Sequence, residues 1–530
     1  MAGLAKKLNT EIQGNLVLSN DIKSSRERVR ETHTNEIVFA LCGYLGSNIK
    51  NVSDLLKHIM ENDYGYVCKI IKLSEFITLN KGINPFDAKG TPEYIRIKNL
   101  IENGNQIRNL YGNEILAELA IQTIGIDRLL DAKKIQGEDG KEHLQFKSQK
   151  KCFIIESIKN PSELEVLKEV YRDLIYTIGV FSPYKIRYEN LRQKEITEIE
   201  IVELIDQDNN EEKNNGQGVR KTFTKSDYFL RIDSSSLSFL SSKLKRFIHL
   251  IFETEIITPT KDETAMYFAS SASVNSACLS RQVGASIVDE NGNIISIGWN
   301  DVPCFEGNLY KQQFSIDIQG INDYRCLNFQ NGKCMNDEFK VRISNNLIEE
   351  LLSKKCIKEE DKENTLKVIK ESRLGGLIEF SRAIHAEMHA IIIGSQKSGD
   401  KMIKGKLFCT TYPCHNCARH IVLAGITEVY FIEPYTKSLA TILHSDSISE
   451  DENDKDKVRI LLYDGVSPNR YIQMFKMRDN QRKDKTGNVI RPKLKDAIPK
   501  YTETLEALYT LESTATKNLK SLNLKIKENS

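Results

Sequence analysis

The sequence predicts an α/β fold divided into two main domains, and three observations support this prediction. The chain has 530 residues, more than a single compact core usually holds, so two or three domains are expected. In the first half, apolar runs alternate with segments whose apolar residues recur at helical spacing, in the order typical of a mostly parallel sheet. In the second half, the order helix, hairpin, helix, strand, helix, strand is typical of a layered α/β domain.

The first domain is predicted over residues 31–255, after a polar tail at 1–30. An apolar run at 35–42 ends at Gly43 and is interpreted as a buried parallel strand. The other predicted elements are a helix at 51–62, a strand at 152–158, a helix at 160–171, a strand at 176–182 and a polar surface loop or lid at 206–218.

The second domain is predicted over residues 260–480 and begins with a helix. Two apolar strands surround Asn291 and Gly292, a pair that strongly indicates a hairpin turn. A long irregular insertion is expected at about 303–345. The remaining predicted elements are a helix around 384–394, strands at 406–411 and 428–434, a helix at 417–425 closed by Gly425, and a charged extension at 481–530 that contains a final helix.

The composition is that of an ordinary globular protein, with 40% hydrophobic and 28% charged residues. The net charge of +2, from 75 basic and 73 acidic residues, gives no overall attraction to nucleic acid. No apolar run approaches the ~18 residues of a membrane span, and no signal peptide is evident. The 11 cysteines are therefore expected to be reduced thiols in the cytoplasm.

One residue pattern in the second half indicates catalytic chemistry. His385 is followed by Glu387, and Pro413 is followed by Cys414 and Cys417. One His and two Cys can bind zinc and leave its fourth position open, which is typical of a catalytic metal. H-x-E followed by P-C-x-x-C is the pattern of zinc-dependent deaminases, in which the metal activates water and the Glu carries protons. The predicted reaction is attack at C4 of a cytosine ring with loss of ammonia.

A structural zinc is the alternative interpretation of this pattern. It would need a fourth protein ligand, for which His389, His415 and His420 are near in sequence.

Residues from about 260 to 475 resemble the deoxycytidylate deaminases. The resemblance lies in RQVGASIVDENGNIISIGWN, SRAIHAEMHA and TTYPCHNCARHIVLAGITEVYF. It implies a three-layer α/β/α domain of the cytidine-deaminase type with one catalytic zinc per chain. It also implies that Asn300 contacts the sugar of the substrate, although Asn is equally a residue that ends strands in turns.

Other candidate residues have two interpretations each. Arg281 lies in the matching stretch and either binds substrate or forms a structural ion pair. Lys437 and His444 lie in a segment similar to the large two-domain members, and either bind a nucleotide phosphate or are surface charges. Some family members carry a second, structural zinc, for which the candidates here are Cys278, Cys304, Cys326 and Cys334; buried free thiols are the alternative.

Residues 43–50 follow a strand and open a helix, a context that suits a phosphate-binding loop. The P-loop pattern ends in G-K-[ST]. Here Asn48, Ile49 and Lys50 stand at those three positions. We therefore expect a degenerate kinase-like domain that does not transfer phosphate. It either binds a nucleotide at Gly43, Gly46, Ser47 and Lys50, or has a structural or oligomerising role.

A kinase-like domain followed by a deaminase is similar to the bacterial antiphage deoxycytidine-nucleotide deaminases. That resemblance implies conversion of dCTP and dCMP to dUTP and dUMP, which depletes dCTP during infection. It also implies a homo-oligomer, an allosteric nucleotide and, as in some members, control by a small RNA.

Taken together, the motifs and the resemblance predict a cytoplasmic zinc-dependent deaminase of free deoxycytidine nucleotides. One rival is a nucleic-acid editing deaminase, which would need a basic groove with aromatic residues. The other is a non-catalytic nucleotide or RNA sensor, which would have no need of the intact Glu387.

Overall fold

The computed structural model describes residues 24–80, 90–136, 142–210, 217–233, 237–305, 307–312, 323–435, 438–477, 482–522 and 524–526. Three predictions concern residues outside these ranges: most of the polar tail at 1–30, the middle of the loop at 206–218, and Lys437.

The first half of the chain alternates strands and helices as its apolar runs predict. The buried run becomes a strand that ends at Gly43, and Asn160 caps the helix that begins at Pro161. The elements are α1 (Ser25–Glu31), β1 (Ile37–Gly43), α2 (Ile49–Asn62), β2 (Val67–Lys72), α3 (Leu73–Leu79), α4 (Glu93–Tyr111), α5 (Ile115–Leu130), β3 (Lys133–Gln136), β4 (Glu142–Gln145), β5 (Lys151–Ile158), α6 (Pro161–Tyr171), β6 (Ile175–Phe181), α7 (Tyr184–Arg192), α8 (Glu198–Asn210), α9 (Val219–Phe223), β7 (Tyr228–Arg231) and α10 (Leu240–Phe252).

The second half has the predicted order of helix, hairpin, helix, strand, helix and strand. Its hairpin turns at Gly292, whose positive φ of 78° suits glycine. The elements are α11 (Lys261–Ser273), β8 (Gly284–Val288), β9 (Ile294–Trp299), α12 (Met335–Ser353), α13 (Lys362–Glu371), α14 (Ala386–Ser398), β10 (Lys406–Thr411), α15 (His415–Leu423), β11 (Glu428–Glu433), α16 (Ala440–Leu443), β12 (Ile448–Ser449), β13 (Val458–Leu462), β14 (Gly465–Val466), α17 (Tyr471–Phe475) and α18 (Leu505–Ala515).

Twelve of these strands form two six-stranded sheets in which parallel pairings dominate, while β3 and β4 form a separate antiparallel pair. The first sheet has the order β14-β7-β6-β1-β5-β2, and all its pairings are parallel except that of β14 with β7. The second has the order β12-β13-β11-β10-β8-β9 and is antiparallel only at the β10-β8 and β8-β9 pairings. The protein is therefore a mixed α/β structure, as predicted.

The prediction of an irregular insertion at 303–345 was wrong in its second part. Helix α12 begins at Met335, and α13 follows it. Helix α12 buries only Ser344 and Ile348, so its apolar periodicity is too weak to indicate a helix that packs on a core.

The C-terminal part of the chain packs against the first sheet and its helices. Strand β14 belongs to the first sheet although it follows β13 of the second. Leu508 of α18 is fully buried in a cluster that also contains Ile121 and Leu167. Among the described residues, no helix combines the length and apolarity that a membrane span requires.

Candidate metal-dependent active site

His385 and Glu387 stand at the start of α14, as the sequence predicts. His385 is the residue that caps this helix, and its backbone is extended. Glu387 lies in the first turn and is 4% exposed. The helix packs closely on β9, because a side chain at Gly298 would lie 2.4 Å from the backbone of Ala386 and Ala390. The second sheet thereby fixes the position of both functional side chains.

Cys414 and Cys417 stand at the start of α15, at the end of the neighbouring strand β10. Cys414 caps the helix, and its Sγ accepts a hydrogen bond from the Cys417 backbone N–H at 3.4 Å. Pro413 precedes the cap, so the prediction that it occupies the first helical position was wrong. The thiols face the same side because they lie three residues apart on one turn.

The imidazole and the two thiols form one group. His385 Nδ1 is 3.2 Å from Cys414 Sγ and 3.3 Å from Cys417 Sγ. In a tetrahedral zinc site with bonds of about 2.1 Å to nitrogen and about 2.3 Å to sulfur, such ligands lie about 3.6 Å apart. The three residues therefore fit a zinc ion, and three protein ligands leave one position for water or substrate.

Nearby histidines do not complete a four-ligand site. Within the part of the chain that the structure describes, His385, Cys414 and Cys417 are the one set of three or more potential ligands close enough to share a metal. His389 Nδ1 accepts a hydrogen bond from the backbone N–H of Trp299 at 3.1 Å, and His389 Nε2 lies 3.2 Å from Asn308 Oδ1. Both its nitrogens are thus engaged elsewhere, which favours a catalytic over a structural site.

The electrostatics of the site favour positive charge at its centre. The hydrogen bond with Cys414 raises the pKa of His385 to about 9. The Cys417 and His385 donors lower the pKa of the Cys414 thiol. Burial raises the pKa of Glu387 to about 7, while His385 opposes this rise. A divalent cation can take the place of the proton that the imidazole and thiolate share, because metal binding releases protons from its ligands.

A cavity of about 290 Å³ opens over this group. His385, Glu387 and Cys414 line its metal-binding side. The rest of its lining comes from the two ends of the hairpin, from the insertion between β9 and α14, and from the ends of β10 and β11. The residues at the hairpin are Cys278, Ser280, Arg281, Val283 and Asn300, and those of the insertion are Asn336, Asp337, Lys340, Gly375, Gly376, Leu377, Ile378, Ser381 and Ala383. Ala386, Thr411, Tyr412 and Tyr435 complete the lining. A ligand in this cavity would contact the metal and the insertion at once.

Asn300 and Arg281 both line this cavity. The Asn300 side chain accepts a hydrogen bond from the Val283 N–H at 2.8 Å and donates one to the Arg281 carbonyl at 2.9 Å. An amide can make four hydrogen bonds, so Asn300 supports the hairpin end and keeps capacity for a ligand. Arg281 is half exposed, 3.4 Å from Glu433 and 5.9 Å from the centre of the Tyr435 ring.

The remaining predicted substrate residues are placed differently. His444 follows α16 and is not among the described residues that line the cavity. Lys437 lies outside the described residues. Sequence reasoning missed Asn336 and Lys340, which stand at i and i+4 in α12. That spacing places both residues on one face of the helix, so they could have been found together only if α12 had been predicted.

The four thiols proposed for a second metal do not form one compact set among the described residues. Cys278 lines the cavity, while the Cys304 thiol donates to the Gly307 carbonyl at 2.9 Å. Cys326 is buried, which raises the pKa of its thiol. Cys334 occupies the N-cap position of α12, where its side chain makes no capping hydrogen bond. All 11 cysteines of the chain are free.

The loop after β1 is bonded to neighbouring side chains of the same chain. The Leu45 N–H donates to the Asp208 carboxylate at 2.7 Å, and Lys159 donates to the Gly43 carbonyl at 2.9 Å. Gly46, at a φ of 82°, packs against α7, where a Cβ would lie 2.8 Å from a backbone oxygen. Ser47 Oγ is buried without a hydrogen-bond partner among the described residues, and Lys50 is exposed.

Comparison with known proteins agrees with the chemistry of the site. Residues 259–433 match the family described as "Cytidine and deoxycytidylate deaminase zinc-binding region". The chain is 26% identical over 188 residues to the deoxycytidylate deaminase of Enterobacteria phage T2, covering 34% of this chain and 82% of the phage protein. It is 27% identical over 181 residues to the deoxycytidylate deaminase of Enterobacteria phage T4, covering 34% of this chain and 80% of that protein.

Among solved structures, the chain is similar to the dCMP deaminase from the cyanophage S-TIM5 in complex with dCMP and dUMP. The identity is 20%, and the match covers 39% of this chain and 99% of the cyanophage chain with a TM-score of 0.23.

Proposed function

We propose that this protein is a zinc-dependent deaminase of free deoxycytidine nucleotides, with His385, Cys414 and Cys417 as metal ligands and Glu387 as the proton carrier. The observation that carries the proposal is the three-ligand group beside a buried carboxyl, at the base of a cavity. The zinc-binding region matched at 259–433 and the phage deoxycytidylate deaminases support it.

The reaction adds water at C4 of the cytosine ring and breaks the bond to the 4-amino group, so that uracil and ammonia are formed. Zinc, when bound, lowers the pKa of water to about 7 and so supplies hydroxide at neutral pH. Glu387 accepts the first proton that water loses and delivers it to ring N3; it then takes the proton of the new hydroxyl on C4 and passes it to the leaving nitrogen, which departs as ammonia. Its burial favours the neutral carboxyl, which lets it hold a proton between these transfers.

The substrate is proposed to be dCMP, dCTP or both. The cavity volume of about 290 Å³ is near the lower end of the range for small-molecule sites, ~300–1,000 Å³. A volume of this order is that of a small-molecule site and does not separate a nucleoside monophosphate from a triphosphate. Asn300 remains our proposed contact to the sugar, Arg281 a proposed substrate contact, and Lys437 and His444 candidates for the phosphate.

The test is turnover by zinc-loaded protein offered dCMP, dCTP, CTP, deoxycytidine and single-stranded DNA. We expect ammonia and a uracil nucleotide from dCMP or dCTP. Glu387→Gln should retain zinc and lose at least the ~10²–10⁴-fold that general acid–base catalysis contributes. Turnover of DNA alone would support the editing alternative, and wild-type activity in Glu387→Gln would overturn the assigned mechanism.

We further propose that the first domain is a degenerate P-loop kinase-like domain and that the protein acts in antiphage defence by depleting dCTP in the cytoplasm. The resemblance of the two-part chain to antiphage deaminases supports this role, as well as a homo-oligomer, an allosteric nucleotide and a regulatory RNA. Protection against phage that disappears with Glu387→Gln is the expected result. Equal protection by both forms would exclude dCTP depletion as the cause.

A further inference from the structure

The insertion between the hairpin and α14 forms one wall of the proposed active-site cavity. The wall consists of the first turns of α12, the 3₁₀ turn Arg373–Gly376 and residues 377–383. Asn336 Nδ2 donates to the Leu377 carbonyl at 2.9 Å, which attaches the helix to the turn. Phe339 and Phe380 stack with ring centres 5.6 Å apart. The wall is therefore braced internally and can hold side chains in fixed positions over the cavity.

Lys340 brings a positive charge to this wall. Its side chain is only 21% exposed. Its ammonium donates to the Gly375 carbonyl at 3.3 Å and lies 2.8 Å from Asp337. Asp337 is 64% exposed, so water weakens this ion pair. An ammonium has three donors, and a third partner can reach it from the cavity.

Asn336, one turn before Lys340, presents an acceptor that lacks a partner. Its Oδ1 is buried and has no hydrogen bond among the described residues. The amide orientation is fixed by the bond from Nδ2 to Leu377, because exchanging the two atoms would place oxygen against oxygen. A buried unpaired acceptor destabilises a folded protein unless a ligand or water supplies the donor. This oxygen has almost no accessible surface, so a ligand in the cavity does not reach it; Asn336 contributes through its Nδ2 bond, which holds the first turn of α12 and Lys340 in place.

The cavity offers cationic side chains from two sides. Arg281 and Lys340 are, together with the metal ligand His385, the basic residues among the described residues that line it. Arg281 comes from the hairpin side, 3.4 Å from Glu433, and Lys340 comes from the insertion, beside Asp337. A basic side chain on a cavity wall suits the phosphate of a nucleotide, because hydrogen bonds between charged groups are the strong ones.

We infer that Lys340 binds a phosphate of the nucleotide. The inserted helix then makes the cavity selective for nucleotides over nucleosides. This inference rests on the proposed function, because it assigns the phosphate contact of that same site.

The test is binding of dUMP and of deoxyuridine to the zinc-loaded full-length protein, measured by calorimetry or by competition. Lys340→Met should weaken dUMP binding about tenfold to hundredfold, because it removes a charge-assisted hydrogen bond. It should leave deoxyuridine binding unchanged, and Lys340→Arg should retain most of the dUMP affinity.

Lys354→Met is the matched control, since Lys354 follows the same helix and pairs with Glu350 at its exposed end. It should change neither affinity. Equal loss of dUMP and deoxyuridine binding in Lys340→Met, or no loss, would overturn the inference. Failure of the proposed function looks different: wild type would bind dUMP in a Lys340-dependent manner but release no ammonia from any cytosine nucleotide.

Discussion

Cys417 is the most buried of the three proposed metal ligands, with no exposed surface. The first turn of α15 holds its thiol beside Cys414 and His385. We expect Cys417→Ser to lower bound zinc from about one per chain to a small fraction, because a hydroxyl is a poor zinc ligand compared with a thiolate. Metal analysis after dialysis measures this directly.

The same variant should unfold at a lower temperature than wild type and should no longer respond to a chelator. A ligand present at about a thousand times its dissociation constant stabilises a protein by about 4 kcal/mol. Cys356→Ser is the control, because Cys356 is exposed and distant in sequence from the ligands. Full zinc content in Cys417→Ser would remove Cys417 from the ligand set.

At the residue scale, the local pattern predicted that His385, Cys414 and Cys417 lie close enough together to share a metal. The spacing of His385 and Glu387, and of Cys414 and Cys417, determines which way each pair faces once its helix has formed. The contacts of Asn300 were not predictable in the same way, because they depend on where the hairpin end meets residues 281–283. Lys340 was missed because its helix was not predicted.

Helix α14 is positioned by its close approach to strand β9, which is possible because β9 has a glycine, Gly298, at the contact. Gly298 of β9 faces the backbone of α14 so closely that a Cβ would lie 2.4 Å from the Ala386 carbonyl oxygen. Gly298→Ala should therefore displace the start of the helix and carry His385 and Glu387 with it. We expect kcat/KM to fall about a hundredfold, the effect of a ~1 Å misplacement of a catalytic group.

The control is Gly399→Ala at the other end of the same helix, where the nearest atom to a new Cβ is 4.0 Å away. This variant should keep wild-type kinetics. Circular dichroism would establish that Gly298→Ala still folds. Unchanged kcat/KM in a folded Gly298→Ala protein would mean that the strand does not set the geometry of the site.

Strong periodicity decided which elements could be predicted. Strand β1 and the hairpin could be predicted because each strand is a mostly apolar run and the hairpin has turn residues between its two strands. Strand β14 has two residues, too few for any pattern, and it pairs with β7 through contacts distant in sequence. Such elements form because a neighbouring sheet edge offers hydrogen bonds, and local sequence carries no record of that partner.

Contacts between the two ends of the chain hold the first sheet and its helices together. Arg128 of α5 pairs with both Glu36 and Glu512, and all three are buried. The Tyr171 hydroxyl also donates to Glu512 at 3.0 Å. The final helix was predicted, but its charged surroundings gave no sign that it contributes to this core. The predicted division of the chain at 255, 260 and 480 remains a prediction.

Glu512 should therefore be a large contributor to the stability of the whole molecule. Glu512→Ala leaves Arg128 with one carboxylate and the Tyr171 hydroxyl without an acceptor, both in a buried setting. Removing one member of a buried ion pair destabilises a protein by about 3–5 kcal/mol, a large part of the ~5–15 kcal/mol that stabilises a domain. Urea unfolding measures the loss.

Glu506→Ala, at an exposed position of the same helix, should change stability by less than about 0.5 kcal/mol. If Glu512→Ala unfolds at the wild-type urea concentration, the contacts of Glu512 with Arg128 and Tyr171 do not stabilise the protein.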